Sequence, residues 1–226
     1  MTGDTERLIH QLTENAGPVR PLRRPHARAA SWLALSVFYI ILVVLVMSAR
    51  HDFSSKLYEP SFIIEQLAAL ATGISAAVAA FVTVIPGYGR KWILLPVAPL
   101  GIWLGSLSPG CFQELNQFGI RGLPLHHNPW CFPSVVLLGV IPAAAMAVML
   151  RRGAPLTPEL TAAFGGLAAA GLGNVGVRFI HPEDVSFMLL VWHVGGVVTL
   201  SILAGIAGRY FLNWRSMTGV RIRSIR

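Results

Sequence analysis

Charge is scarce in this chain. Asp, Glu, Lys and Arg together make up 12% of its 226 residues, against roughly 25% in an ordinary soluble domain. Cysteine is scarcer still: Cys111 and Cys131 are the two, and they do not form a C-x-x-C pair, so the thioredoxin-type redox signature is missing. Long polar stretches are missing as well. The connections at residues 87–91 and 151–158 are too short to hold a catalytic domain. No internal repeat marks the inverted halves of a transporter, and the apolar runs lack the in–out alternation of barrel strands. No small-residue cleavage site follows the first apolar run, which starts after a polar tail of about thirty residues and reads as a retained anchor rather than a signal peptide.

Long apolar runs are what the chain has, with 54% of its residues hydrophobic. Six runs approach or meet the roughly 17 to 25 residues needed to cross the hydrocarbon core: residues 29–49, 62–85, 92–107, 130–150, 160–180 and 187–212. Unpaired backbone groups cost several kcal/mol each in lipid, so these runs are expected to be helices. The predicted fold is an all-α polytopic membrane bundle of six transmembrane helices. The third run is the shortest and carries Pro96 and Pro99.

Charge asymmetry sets the orientation. Fourteen of the 18 cations fall in the amino-terminal tail, at residues 90–91 and 151–152, or at the carboxy-terminal end. Arg50, Lys56, Arg121 and Arg178 are left for the other side. The positive-inside rule then puts both termini in the cytoplasm. The chain divides into a cytoplasmic tail at 1–28, the six-helix domain at 29–212 and a basic tail at 213–226. A net charge of +8 can signal nucleic-acid binding. Here the arginines flank apolar runs, where topology and anionic lipid head groups account for them, so no direct nucleic-acid contact is expected.

The tail carries a short amphipathic segment at residues 4–15. Asp4 is placed to cap it, Leu8, Ile9 and Leu12 share one face, and Gly17–Pro18 ends it. Val19 and Leu22 follow among prolines and arginines. One turn of apolar face with no core of its own needs a membrane surface or a protein partner. Small residues four apart, Ala69–Gly73–Ala77, Gly165–Ala169–Gly173 and Ala204–Gly208, are expected to let helices of the same bundle approach closely.

The remaining unusual residues gather toward the outer face. Cys111, Cys131, His126, His127 and His181 lie there by the charge argument. A disulfide between the two cysteines would be worth about 3 kcal/mol in the chain-entropy picture. Thiolates and imidazoles also suit zinc and other soft metals, although the spacing matches no recognisable zinc motif. Cys131 also fits the plainer role of a small buried apolar residue. Glu65, Asn174, Arg178 and His193 lie within the outer half of the membrane, where ionisable groups are paired or face a wet cavity. Arg178 has two options, pairing with Glu65 or snorkelling to the surface. In the loop at 108–129, Phe112, Leu115 and Phe118 recur at helical spacing, predicting a short interfacial helix that ends at Gly119.

Leu8–Ile9 and Leu12 followed by Pro18–Val19–Arg20–Pro21–Leu22, the turn Leu150–Arg151–Arg152–Gly153–Ala154–Pro155, and Pro182–Glu183–Asp184 followed by Phe187 and Trp192–His193 resemble, in order and spacing, the NrsF family. These are bacterial membrane proteins that act as anti-sigma factors against extracytoplasmic-function sigma factors. The resemblance covers nearly the whole chain. It implies an inner-membrane protein whose tail holds a sigma factor through Leu8, Ile9, Leu12, Val19 and Leu22, and releases it on an envelope stress such as an oxidant or a metal. The family pattern has one cysteine at the start of span four, matched by Cys131, and a second just before Pro-Glu-Asp. That second position is His181 here. The departure excludes a disulfide between the two positions. It leaves metal coordination by Cys131 and His181, with His126 and His127 as further ligand candidates, or a sensor that works through Cys131 alone or with Cys111. Two other readings compete. A membrane thiol oxidoreductase lacks its C-x-x-C, and a small metal or cation transporter needs polar residues across the full membrane depth, where the inner halves of these runs have almost none.

Overall fold

In the computed structural model the described residues are 2–14, 22–47, 53–85, 87, 89–122, 131–153, 155, 157–180 and 195–211. Every regular element among them is a helix: α1 Thr2–Glu14, α2 Pro25–Met47, the single turn α3 Phe53–Lys56, α4 Pro60–Thr83, a 3-10 turn Arg90–Leu94, α5 Val97–Gly122, α6 Cys131–Leu150, α7 Pro158–Ile180 and α8 Gly195–Phe211. Prolines start α2, α4 and α7, where the missing N–H would have no helical partner and the fixed φ favours the first turn.

Four stretches are long and apolar enough to cross a membrane: Pro25–Met47, Pro60–Thr83, Lys91–Gln117 and Pro158–Ile180. The expected count was six. α6 offers the shorter apolar stretch Val136–Leu150, and α8 covers 17 residues, with residues 187–194 of the sixth run outside the described residues. Trp32, Phe81 and Trp103 are buried, but the bundle also leaves many large apolar groups outside. Phe38 is 67% exposed, Leu45 76% and Val46 77%, whereas Ala69, Ala76, Ala79, Ala80 and Ala168 are buried completely or nearly so. Such a surface suits hydrocarbon, which offers no penalty for exposed Leu and Phe and leaves close packing of small side chains to hold helices together.

α5 departs most from expectation. The span does not stop near residue 107: the helix runs on through Pro109 until Gly119, whose non-helical φ of 63° and ψ of 172° divide it from a last short stretch to Gly122. Pro109 removes one intrahelical hydrogen bond without ending the helix. The helical spacing of Phe112 and Leu115 therefore belongs to a continuation of the span, and the predicted separate interfacial helix is not a separate element. Its end at Gly119 holds, because a positive φ of this kind is open to glycine and strained for other residues.

α7 is the hub, packing against α4, α6 and α8, while α2 lies across α4, α6 and α7 and α5 packs on α4. Glycines set these approaches. A Cβ on Gly171 would lie 3.3 Å from the Cα of Gly73 in α4, and one on Gly173 would lie 3.4 Å from the Cα of Gly139 in α6. On the third flank a Cβ on Gly208 of α8 would lie 2.5 Å from the Cβ of Ala162. The small-residue rows thus close the chain's own bundle. After α6 the chain turns at Gly153, where any Cβ would overlap Val84 at the end of α4. That overlap gives the Arg-Arg-Gly turn a steric reason for its glycine.

Side-chain bonds fix the register. The buried Trp32 indole donates to the Pro142 carbonyl at 2.9 Å and the Tyr39 hydroxyl to the Leu137 carbonyl at 2.7 Å. Rising positions on α2 meet falling positions on α6, so the two helices are antiparallel. α4 and α7 are antiparallel by the same test: Thr83 and Thr161 hydroxyls meet at 2.9 Å at one end, and Glu65 meets Arg178 at the other.

Candidate functional site

Two groups of residues carry the chemistry, one at each end of the bundle. At the amino terminus, α1 begins at Thr2, so Asp4 sits in its first turn rather than at its cap. A carboxylate there still complements the helix dipole. Leu8, Ile9 and Leu12 are 55%, 56% and 63% exposed. Thr13 returns its hydroxyl to the Ile9 carbonyl at 2.9 Å, and on the opposite face His10 lies 3.4 Å from Glu14. A helix of 13 residues is marginal on its own in water, so this one presents an apolar stripe whose burial would stabilise it. Leu22 is also exposed; Val19 lies outside the described residues.

The tail joins the bundle through a buried cation. The Arg28 guanidinium donates to the Met149 carbonyl and lies over the Phe81 ring, 4.7 Å from its centroid. Met149 is in the last turn of α6, where carbonyls run short of helical donors, so Arg28 caps that helix from outside and favours the negative end of its dipole. Two residues earlier the His26 ring meets Trp92 at 5.6 Å between centroids. Where the sequence offered Arg28 as a topology charge, the structure makes it the joint between the tail, α4 and α6. An arginine directly before an apolar run was the available signal, but its partners lie far off in sequence.

At the other end, Glu65 and Arg178 are buried and paired, with Nη2 donating to Oε2 at 3.2 Å. The Arg178 guanidinium also lies 5.3 Å from the Phe62 ring centroid. Arg178 therefore does not snorkel. Asn174 is buried one turn away on the same helix. Eighteen residues of α4 separate Glu65 from Thr83, about 27 Å at 1.5 Å per residue, so the ion pair and the threonine pair are nearly one hydrocarbon thickness apart.

Cys111 lies partly buried in α5. Cys131 opens α6. Because Gly139 lies against Gly173 and α6 runs antiparallel to α7, the first turn of α6 and the last turn of α7 share one end of the bundle. His126, His127, His181 and His193 lie outside the described residues, as does the immediate surrounding of the Cys131 side chain. Among the described residues no three His, Cys, Asp or Glu side chains gather as a metal site would require.

Comparison with known proteins bears on most of the chain. Residues 12–214 match the family model described as NrsF, negative regulator of sigma F. The anti-sigma-F factor NrsF of Caulobacter vibrioides is 28% identical over 220 residues, covering 93% of this chain and 99% of that protein. No solved structure matches.

Proposed function

The chain belongs to the NrsF family of negative regulators of sigma F, and we propose that it is an anti-sigma factor of the bacterial inner membrane that holds an extracytoplasmic-function sigma factor through its amino-terminal tail. The observation that carries this reading is the exposed stripe of Leu8, Ile9 and Leu12 on α1, an amphipathic helix of the kind that lays its apolar face into a partner's groove. Val19 and Leu22 extend the contact. Cell fractionation tests it: with the full chain the sigma factor sediments with membranes, and with a chain lacking residues 2–14 it is soluble. Equal membrane retention by both forms would contradict the reading.

The bundle crosses the membrane six times in this proposal, with α2, α4, α5, α6, α7 and α8 as spans and both termini cytoplasmic. Charge asymmetry supports it, and so does packing, since antiparallel α2–α6, α4–α7 and α6–α7 pairs are what successive crossings produce. Reporter fusions at Gly89 and after Arg215 should read cytoplasmic, and one at Asn116 periplasmic; a periplasmic carboxy terminus would remove one span.

The inducing signal acts on the outer face through Cys131 and His181, with Cys111 or His126–His127 beside them. The shared end of α6 and α7 supports this grouping. An imidazole lowers the pKa of a neighbouring thiol, making it more oxidisable and a better ligand for zinc or another soft metal. Oxidation or metal binding there changes charge and packing at two helix ends. Cys131→Ser and His181→Ala should each alter the transcriptional response to oxidants or thiophilic metals with membrane insertion intact. Parental responses from both variants would move the sensor elsewhere, with Glu65, Arg178 and His193 the next candidates.

A further inference from the structure

α6 and α8 pack on two flanks of α7 but hardly on each other. Glycines bring both close: a Cβ on Gly165 would meet the Met146 side chain of α6 at 3.0 Å, and one on Gly208 would run into Ala162. Between the flanks, Ala and Gly of all three helices leave a space that Met146, Val148 and Leu150 of α6 border. A furrow of about 450 Å³ results, floored by Ala162 and Gly166, walled by Ala147, Ala204 and Ala207, and ended by Arg151.

Apart from Arg151, the lining is apolar, mostly Ala and Gly with Met146, Val148 and Leu150, and suits a hydrocarbon chain rather than a polar solute. Its one charged end has the opposite character. Arg151 is exposed, and Arg152 follows it, close enough to the buried Arg28 for the two guanidiniums to repel. An anion placed here would offset that repulsion. Guanidinium groups bind phosphate through two parallel hydrogen bonds, and basic clefts between transmembrane helices on the cytoplasmic side suit anionic lipid head groups.

The geometry points to a binding site for one anionic phospholipid of the inner leaflet, an acyl chain in the α6–α7–α8 furrow and its phosphate on Arg151. This goes beyond the anti-sigma reading and does not depend on the sigma factor. The lipid wedges α6 against α8 beside Arg28, the joint of the tail.

Native mass spectrometry of the full chain, released from nanodiscs of mixed dioleoylphosphatidylglycerol and dioleoylphosphatidylcholine, tests the site. The parent should retain phosphatidylglycerol about fivefold over phosphatidylcholine, the factor expected of one basic side chain near a membrane surface. Arg151→Gln should abolish the preference. Ala147→Leu, at an exposed position that accepts a larger apolar group, should reduce retention of both lipids by filling the furrow. Equal retention of the two lipids by the parent overturns the proposal. So does a preference that survives Arg151→Gln, or parental retention by Ala147→Leu, which would mean general attraction to a basic surface.

Discussion

Replacing Leu8 and Leu12 together by Asp is expected to turn on sigma-dependent transcription without stress, to the level of a cell lacking the regulator. Both leucines are more than half exposed on α1, so the substitution removes little from the protein itself. Burying a leucine against a partner contributes about 1.5 to 3 kcal/mol, and two such losses weaken binding by roughly a hundredfold or more. The carboxylates would have to be desolvated in the partner's groove as well. The control is on the other face: His10→Ala with Glu14→Ala breaks only a solvent-exposed pair and should leave repression intact. A transcription reporter with immunoblotting for protein level separates lost binding from lost protein.

The second large effect is expected at the buried ion pair. Glu65→Leu takes the carboxylate partner from the buried Arg178 guanidinium, and Arg178→Met takes the guanidinium from the buried Glu65 carboxylate. Breaking a buried pair by removing one partner costs about 3 to 5 kcal/mol, whereas replacing both by apolar residues of similar size is often neutral or stabilising. Thermal unfolding of the detergent-solubilised chain should therefore show a large loss for each single variant and recovery for the double variant. Additive losses in the double variant would mean that the two side chains act independently, against the 3.2 Å contact between them.

Helix positions were legible where chemistry is local. Pro60 and Pro158 mark starts within two residues of the expected boundaries, and apolar length alone predicted the ends of α6 and α7. The third run was expected to end at residue 107, yet a helix can carry Pro109 at the cost of one hydrogen bond when tertiary packing supports it. The row Gly165–Ala169–Gly173 was visible as a packing face. Gly171 was not, since it falls about 200° around the helix from its neighbours in that row. α7 needs both rows because it is packed on more than one side. The choice between pairing and snorkelling for Arg178 depended on which helix lies beside α7, a long-range fact outside sequence periodicity. The same holds for Arg28, whose partners Phe81 and Met149 come from two other helices. The sigma factor proposed as the partner of α1 is suggested by family membership rather than by any pattern in these residues.

The most direct measurement of the central claim is site-specific photo-crosslinking in living cells. A photoreactive residue in place of Ile9, in the full-length chain under non-inducing conditions, should capture the sigma factor. The same residue in place of Glu14, on the opposite face of α1, should not. Capture from Ile9 should fall when sigma-dependent transcription is induced. Capture that is equal from the two faces, or none from Ile9 while the chain still represses, would contradict the assignment of the tail as the inhibitory element.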